Sequence, residues 1–210
     1  MNIDNVINGL IPEIIALRRW FHQHPELGQK EFQTQDKICE ILDGWGIEYI
    51  RGIAETGVVA IIRGLSEGRV IGIRADIDAL PIQEESGLSF ASVTPNVMHA
   101  CGHDIHTSIL LGTAKALFQL RDKLPGTVKL FFQPAEETIG GAERMIAAGC
   151  LENPHVDAVI GLHVNTDLLT GSIGLKYGTM FAGSDMITLR VFGKQTHGAS
   201  PQDGVDPIVI

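Results

Sequence analysis

Val70-Ile71-Gly72-Ile73-Arg74-Ala75-Asp76-Ile77-Asp78 is the stretch on which the fold turns. Its first four residues are short, apolar and largely β-branched, which reads as a buried strand. The run then breaks at once into carboxylates. The same pattern recurs twice downstream. Val128-Lys129-Leu130-Phe131-Phe132 runs into Gln133-Pro134-Ala135-Glu136-Glu137, and the apolar segment Val156 to Leu162 runs into His163. A further strand, Val58 to Ile62, precedes them and joins the first through a turn over Gly64 to Gly68. Helical spacing fills the gaps: about Thr107 to Leu120, and about Ala142 to Ala148 with Gly149 as its stop. Two helices open the chain. Ile3 to His22 places Ile7, Leu10, Ile11, Ile14, Ile15 and Leu17 on one face expected to be buried, and Pro25 ends it. About Glu31 to Trp45 turns Ile38, Ile41, Leu42 and Trp45 inward, with Gly46 as the C-terminal stop. Strands alternating with helices predict an α/β layer fold around a largely parallel sheet. Such sheets place their sites beyond the C-terminal strand ends, where these carboxylates and this histidine lie.

From about Ser184 the texture changes. Met186 to Phe192 alternates like a half-exposed strand, and Pro207 sits where a helix would start. One strand and one helical turn cannot bury a core. We therefore expect residues 1–183 to be the N-terminal part of a catalytic domain and 184–210 the beginning of an incomplete second domain. The net charge of −9 argues against a nucleic-acid surface and against docking on an anionic membrane. No apolar run approaches the roughly 20 residues that span a bilayer. The three cysteines, Cys39, Cys101 and Cys150, offer no disulfide framework and fit a reducing compartment, so the cytoplasm is the expected location.

The densest chemistry is Met98-His99-Ala100-Cys101-Gly102-His103-Asp104-Ile105-His106. Cys101 and His103 stand two apart, so an extended or turning backbone aims both side chains the same way. A thiolate and an imidazole together suit zinc or a similar divalent ion. Asp104 is a candidate acceptor for the second N–H of a ligating imidazole. A packed loop with a buried free thiol is the plainer alternative. Glu136 and Glu137 leave a strand end in different directions, so one can bind metal while the other takes a proton from water. An acidic first turn of a helix explains the pair equally simply. His163 reads as a ligand or as a hydrogen-bonded core residue. His197, in Thr196-His197-Gly198-Ala199, reads as an oxyanion donor or as an ordinary loop residue. His22 and His24 at a helix end read as structural, and His155 as exposed.

Taken in order, these segments resemble the M20 metallopeptidase family, and within it the amidohydrolases that act on hippurate, N-acyl amino acids and auxin conjugates. The segments that carry the resemblance begin with Arg18-Arg19-x-x-His22-x-x-Pro25-Glu26-Leu27 and Arg74-Ala75-Asp76-Ile77-Asp78-Ala79-Leu80-Pro81. Met98 to Asp104, Phe132 to Glu137, Gly161-Leu162-His163 and His197-Gly198-Ala199 follow. The resemblance implies a zinc-exopeptidase-like catalytic domain followed by the start of an α+β lid and dimerisation domain. It implies Cys101, His103, Glu137 and His163 as ligands of two divalent ions (zinc, manganese, cobalt or nickel), with Glu136 as general base. His197 matches a lid histidine that helps hold the substrate carbonyl in family homodimers, and Asp78 an aspartate supporting the metal site from behind. A further ligating histidine of the family would lie beyond Ile210, which would leave one ion under-coordinated here. Ile105 stands where the family often has glycine, a packing change that leaves the ligand atoms alone. The implied substrate is an N-acyl amino acid. An M20 dipeptidase or aminoacylase, a thiol enzyme using Cys101 as nucleophile, and a non-catalytic partial product are the competing readings.

Overall fold

A computed structural model describes residues 3–138, 140–181, 183 and 187–209. It divides into two compact units, 1–165 and 166–210.

In the first unit the chain runs α1 (Ile3–Gln23), α2 (Phe32–Trp45), β1 (Glu48–Ile53), β2 (Gly57–Arg63), β3 (Ser66–Asp76), α3 (His103–Gln119), β4 (Pro125–Gln133), α4 (Gly141–Ala147) and β5 (Ala158–Gly161). The strands form one sheet in the order β1-β2-β4-β3-β5. β3 pairs in parallel with both β4 and β5, whereas β2 is antiparallel to its neighbours β1 and β4. Four strands thus point one way and β2 alone runs against them. β1 was not expected from the sequence. It is a largely exposed edge strand, and its charged and glycine residues hide the pattern.

β2 is buried over Gly57 to Ile62, and its alternation feeds two cores. Val58, Ala60 and Ile62 face Phe21, Ile38, Leu42, Leu111, Leu130 and Phe132 beneath the helices. Val59 joins Val70, Phe131, Met145, Cys150 and Val156 on the opposite face. The period of two places neighbouring residues in different layers, as a sheet covered on both faces requires. α2 and α3 lie against the strands, α1 packs on α3, and α4 packs near β4.

α1 differs from expectation in which residues it buries. Val6, Leu10 and Phe21 are buried, while Ile3, Ile7, Ile11 and Ile15 are 46–52 % exposed. Four-residue spacing puts these isoleucines in one stripe beside the α1–α3 contact rather than in it. α3 begins at His103, four residues ahead of the expected start, because Gly102 takes φ +86° and turns the chain directly into the helix. The described residues contain no helix long and apolar enough to cross a membrane.

The second unit holds a 3₁₀ turn at Pro201–Asp203 and an antiparallel bridge between Lys194 and Val205. The strand expected over 186–192 does not form in its described part, 187–192, and residues 207–209 do not begin a helix. Alternation alone makes no ladder; a strand also needs a neighbour to accept its hydrogen bonds. Met186, and Ser184 at the expected domain start, lie outside the described residues, as does Ile210.

Candidate metal centre

β3, β4 and β5 are parallel, so their C-terminal ends share one sheet edge. The register sets Asp76 beside Gln133 and Arg74 beside Gly161. Asp78, Glu136, Glu137 and His163 follow these ends by two to four residues, and the N-terminus of α3 brings Cys101 and His103 to the same edge.

Three overlapping groups of ligand-capable atoms result, each with its atoms within 4.8 Å of one another: Cys101, His103 and His163; His103, Glu136 and Glu137; Asp76, His103 and His106. Cys101 Sγ lies 3.5 Å from His163 Nε2. His103 Nε2 lies 3.8 Å from Glu137 Oε1 and 3.6 Å from Asp76 Oδ2. His103 belongs to all three groups and is buried.

Hydrogen bonds fix which nitrogen each imidazole presents. His103 Nδ1 donates to the Asp78 backbone carbonyl at 2.9 Å, with Asp78 Oδ1 at 3.3 Å, which leaves the Nε2 lone pair facing the cluster. His163 Nδ1 donates to the Val164 carbonyl at 2.7 Å, which leaves its Nε2 facing Cys101. Asp78 Oδ2 accepts the Glu137 backbone N–H at 3.0 Å. One buried aspartate thus orients His103 and pins the turn that carries Glu137.

Asp104 serves a different purpose from the one expected of it. The His103 N–H goes to Asp78, and Asp104 faces α1 instead. Its Oδ2 accepts from His22 Nδ1 at 2.8 Å and lies 2.9 Å from Arg18 Nε. His22 Nε2 reaches Glu84 Oε1 at 3.1 Å. This ion network anchors the start of α3 to α1 and to the 81–98 loop. The hydrogen bond to Asp104 raises the His22 pKa against the effect of burial. Burial opposes ionisation of Asp104, but His22 and the neighbouring cations hold its carboxyl below the usual range. His22 is therefore more than a helix-end residue. His24 does meet a terminal carbonyl, that of Trp20 at 2.8 Å, and His155 is exposed beside Glu152.

The electrostatics call for positive charge. Burial, followed by hydrogen bonding to Glu137 and the surrounding carboxylates, pushes the Cys101 thiol up to about 12. Burial and the charge of Glu137 raise Glu136. Burial lowers the His103 pKa, but Asp78, Asp76 and Glu137 more than offset it. Carboxylates that favour a proton at His103 Nε2 favour a cation there on the same grounds. Among the described residues, His103 Nε2 and Glu137 Oε1 are buried with no hydrogen-bond partner. Buried polar atoms are rarely left so, and a bound ion is one of the standard causes. The sulfur, nitrogen and oxygen donors present fit a divalent ion.

The turn bearing Glu136 and Glu137 is built by a residue that sequence reading passed over. Ala135 has φ +51°, which costs a non-glycine residue on the order of 1 kcal/mol. Glu31, fully buried ahead of α2, accepts the Ala135 N–H at 2.8 Å through Oε1 and the Thr56 hydroxyl at 2.6 Å through Oε2. Glu31→Ala strands both donors, and we expect a loss of about 3 kcal/mol in urea unfolding. Glu31→Gln keeps one acceptor and should lose less.

His197 belongs to the second unit. It is exposed, and its Nδ1 accepts the Ala199 N–H at 3.1 Å.

A sheet edge that gathers thiol, imidazole and carboxylate donors around two orphaned ligand atoms is a candidate divalent-metal centre. The chain belongs to peptidase family M20/M25/M40, whose profile matches residues 72–204. It is 46% identical over 209 residues to an N-acyl-L-amino acid amidohydrolase of Geobacillus stearothermophilus, covering 99% of this chain and 56% of that protein. It is also 46% identical over 203 residues to an N-acetyl-L-cysteine deacetylase of Bacillus subtilis, covering 97% and 48%. Among solved structures, a Bacillus subtilis dinuclear metal-binding peptidase of the M20 family superposes with a TM-score of 0.78 at 47% identity, covering 81% of this chain and 48% of that one. The chain spans about half the length of the curated relatives it matches.

Proposed function

We propose that this chain carries most of a dinuclear metal site that hydrolyses the amide bond of N-acyl amino acids, releasing a carboxylic acid and an amino acid. The observation that carries the reading is the buried, partnerless pair His103 Nε2 and Glu137 Oε1, 3.8 Å apart and next to the Cys101–His163 pair. Cys101, His103, Glu137 and His163 hold the ions; zinc, manganese, cobalt and nickel all suit such a mixed donor set. When bound, the ions supply a Lewis acid that polarises the amide carbonyl and acidifies water. Glu136, exposed beside Glu137 at the same strand end, takes the proton of the attacking water. It returns that proton to the amide nitrogen as the C–N bond breaks, so the amine leaves neutral. Asp78 holds His103 and the Glu137 backbone in place throughout. We assign His197 to the oxyanion of the tetrahedral intermediate and residues 184–210 to the start of a lid and dimerisation domain in a homodimeric parent. The acyl-amino-acid and acetylcysteine names of the relatives support a small N-acyl amino acid, hippurate included, as substrate. The cytoplasm fits three free cysteines, one of them proposed to bind metal.

The test is a panel of N-acetyl, N-benzoyl and other N-acyl amino acids, assayed on the full-length protein with each of the four metals. Hydrolysis of at least one class supports the reading. Free dipeptides cleaved in preference to every N-acyl amino acid would favour the dipeptidase alternative.

A further inference from the structure

His163 sits on the weakest support of any proposed ligand. β5 is four residues long, lies at the sheet edge and is exposed along its whole length. A second residue must therefore hold the His163 ring against Cys101. Val164 lies between two imidazoles. Its carbonyl accepts from His163 Nδ1 at 2.7 Å, and its N–H donates to His106 Nε2 at 3.0 Å. A backbone N–H can only donate, so His106 Nε2 must be a bare lone pair, and the His106 proton must sit on Nδ1. That proton meets Asp76 Oδ1 at 2.6 Å. Asp76 is anchored in turn through Oδ2 to Arg74 at 2.7 Å. His106 is buried, and its ring stands edge-on to His163 with centroids 4.6 Å apart. The fit is close on the other side as well: a Cβ on Gly102 would lie 2.5 Å from Val164 Cγ2.

We infer that His106 is a positioning residue. By accepting the Val164 N–H it fixes the peptide whose carbonyl holds the His163 ring, and so presets the His163 Nε2–Cys101 Sγ pair for a divalent cation. This rests on the metal reading above. Among the described residues His106 hydrogen-bonds Asp76 and the Val164 N–H rather than a ligand side chain; it acts through one backbone amide. Outer partners of this kind typically change metal affinity by about 10- to 100-fold when removed.

Two substitutions separate the two ends of the ring. The Asn amide N–H occupies the place of Nδ1–H and keeps the Asp76 bond, but it does not reach Val164. The Gln carbonyl reaches the place of Nε2 and keeps the Val164 bond. Cobalt(II) is titrated into the 210-residue chain and into His106→Asn and His106→Gln. Affinity is read by chelator competition, and the thiolate–cobalt absorption band and metal-free thermal midpoint are recorded alongside. We expect His106→Asn to bind about 10- to 100-fold more weakly with a shifted or weakened band, and His106→Gln to stay within about 3-fold of the parent. Equal affinity in all three overturns the inference. So does an equal loss in both variants, since the Val164 acceptor would then not be the feature that matters. In the unsubstituted chain, nitrogen-15 shifts must show His106 protonated at Nδ1; a proton on Nε2 overturns the inference without any variant. An unsubstituted chain that binds no cobalt fails at the earlier step and removes the metal reading itself.

Discussion

Glu136→Gln in the full-length protein lowers kcat for N-acyl amino acid hydrolysis by about 10²- to 10⁴-fold and leaves metal content and folding unchanged. The amide has nearly the shape of the carboxylate, and Glu136 is exposed, so packing is not disturbed. What is lost is the ability to accept a proton from water and deliver it to the leaving nitrogen. Partial desolvation and the Glu137 charge raise the Glu136 pKa above that of a free carboxylate. Metal analysis and kcat measured on the same preparation decide the matter. Near-normal turnover refutes the assignment of Glu136 as base. Lost turnover together with lost metal makes Glu136 a ligand instead.

Gly141→Ala damages the turn that carries Glu136 and Glu137 by a different route from Glu31→Ala and with comparable force. A Cβ at Gly141 would lie 1.7 Å from the Pro134 carbonyl oxygen and 2.7 Å from its carbon. No side-chain rotation relieves a clash between a Cβ and the main chain, so the backbone must move. The Gly141 N–H donates to the Ala135 carbonyl at 3.1 Å, and this bond closes the turn that carries Glu136 and Glu137. We expect a loss of about 3 kcal/mol in chemical unfolding, at the upper end of overpacking effects. Weakened metal binding should accompany it, because Glu137 moves away from His103. Unfolding within about 0.5 kcal/mol of the parent would show that the turn yields easily and would remove our account of how Glu137 is placed.

The parts of this site that were legible in the sequence are those written locally. Apolar β-branched runs broken by carboxylates or histidine marked three strand ends, and a parallel sheet brings such ends to one edge. Cys101-Gly102-His103 was legible because two-residue spacing around a glycine aims both side chains together. The partnerships that cross the sequence were not legible. Glu31 holds Ala135 across 104 positions, and no periodicity reports a buried carboxylate whose partner is a distant backbone amide. Asp104 was expected to support His103, its neighbour in sequence. In the folded chain the helix turns Asp104 toward α1, and Asp78 does the supporting. His106 was hidden by a boundary. With α3 expected from Thr107, His103 and His106 read as loop residues. With the helix starting at His103, they are i and i+3 on one face. Gly102 was the available signal, since a glycine at positive φ can start a helix as well as end one. The alternation over 187–192 misled for the opposite reason: it describes faces, and a strand also requires a hydrogen-bonded neighbour.

The most direct test of the central claim is metal dependence of amide hydrolysis. The full-length protein is stripped with a chelator, assayed on an N-acyl amino acid, and assayed again after zinc, manganese, cobalt or nickel is restored. The proposed mechanism predicts that activity disappears on stripping and returns as about two equivalents of metal bind per chain. Activity that survives complete metal removal contradicts it, and would turn attention to Cys101 as a thiol nucleophile.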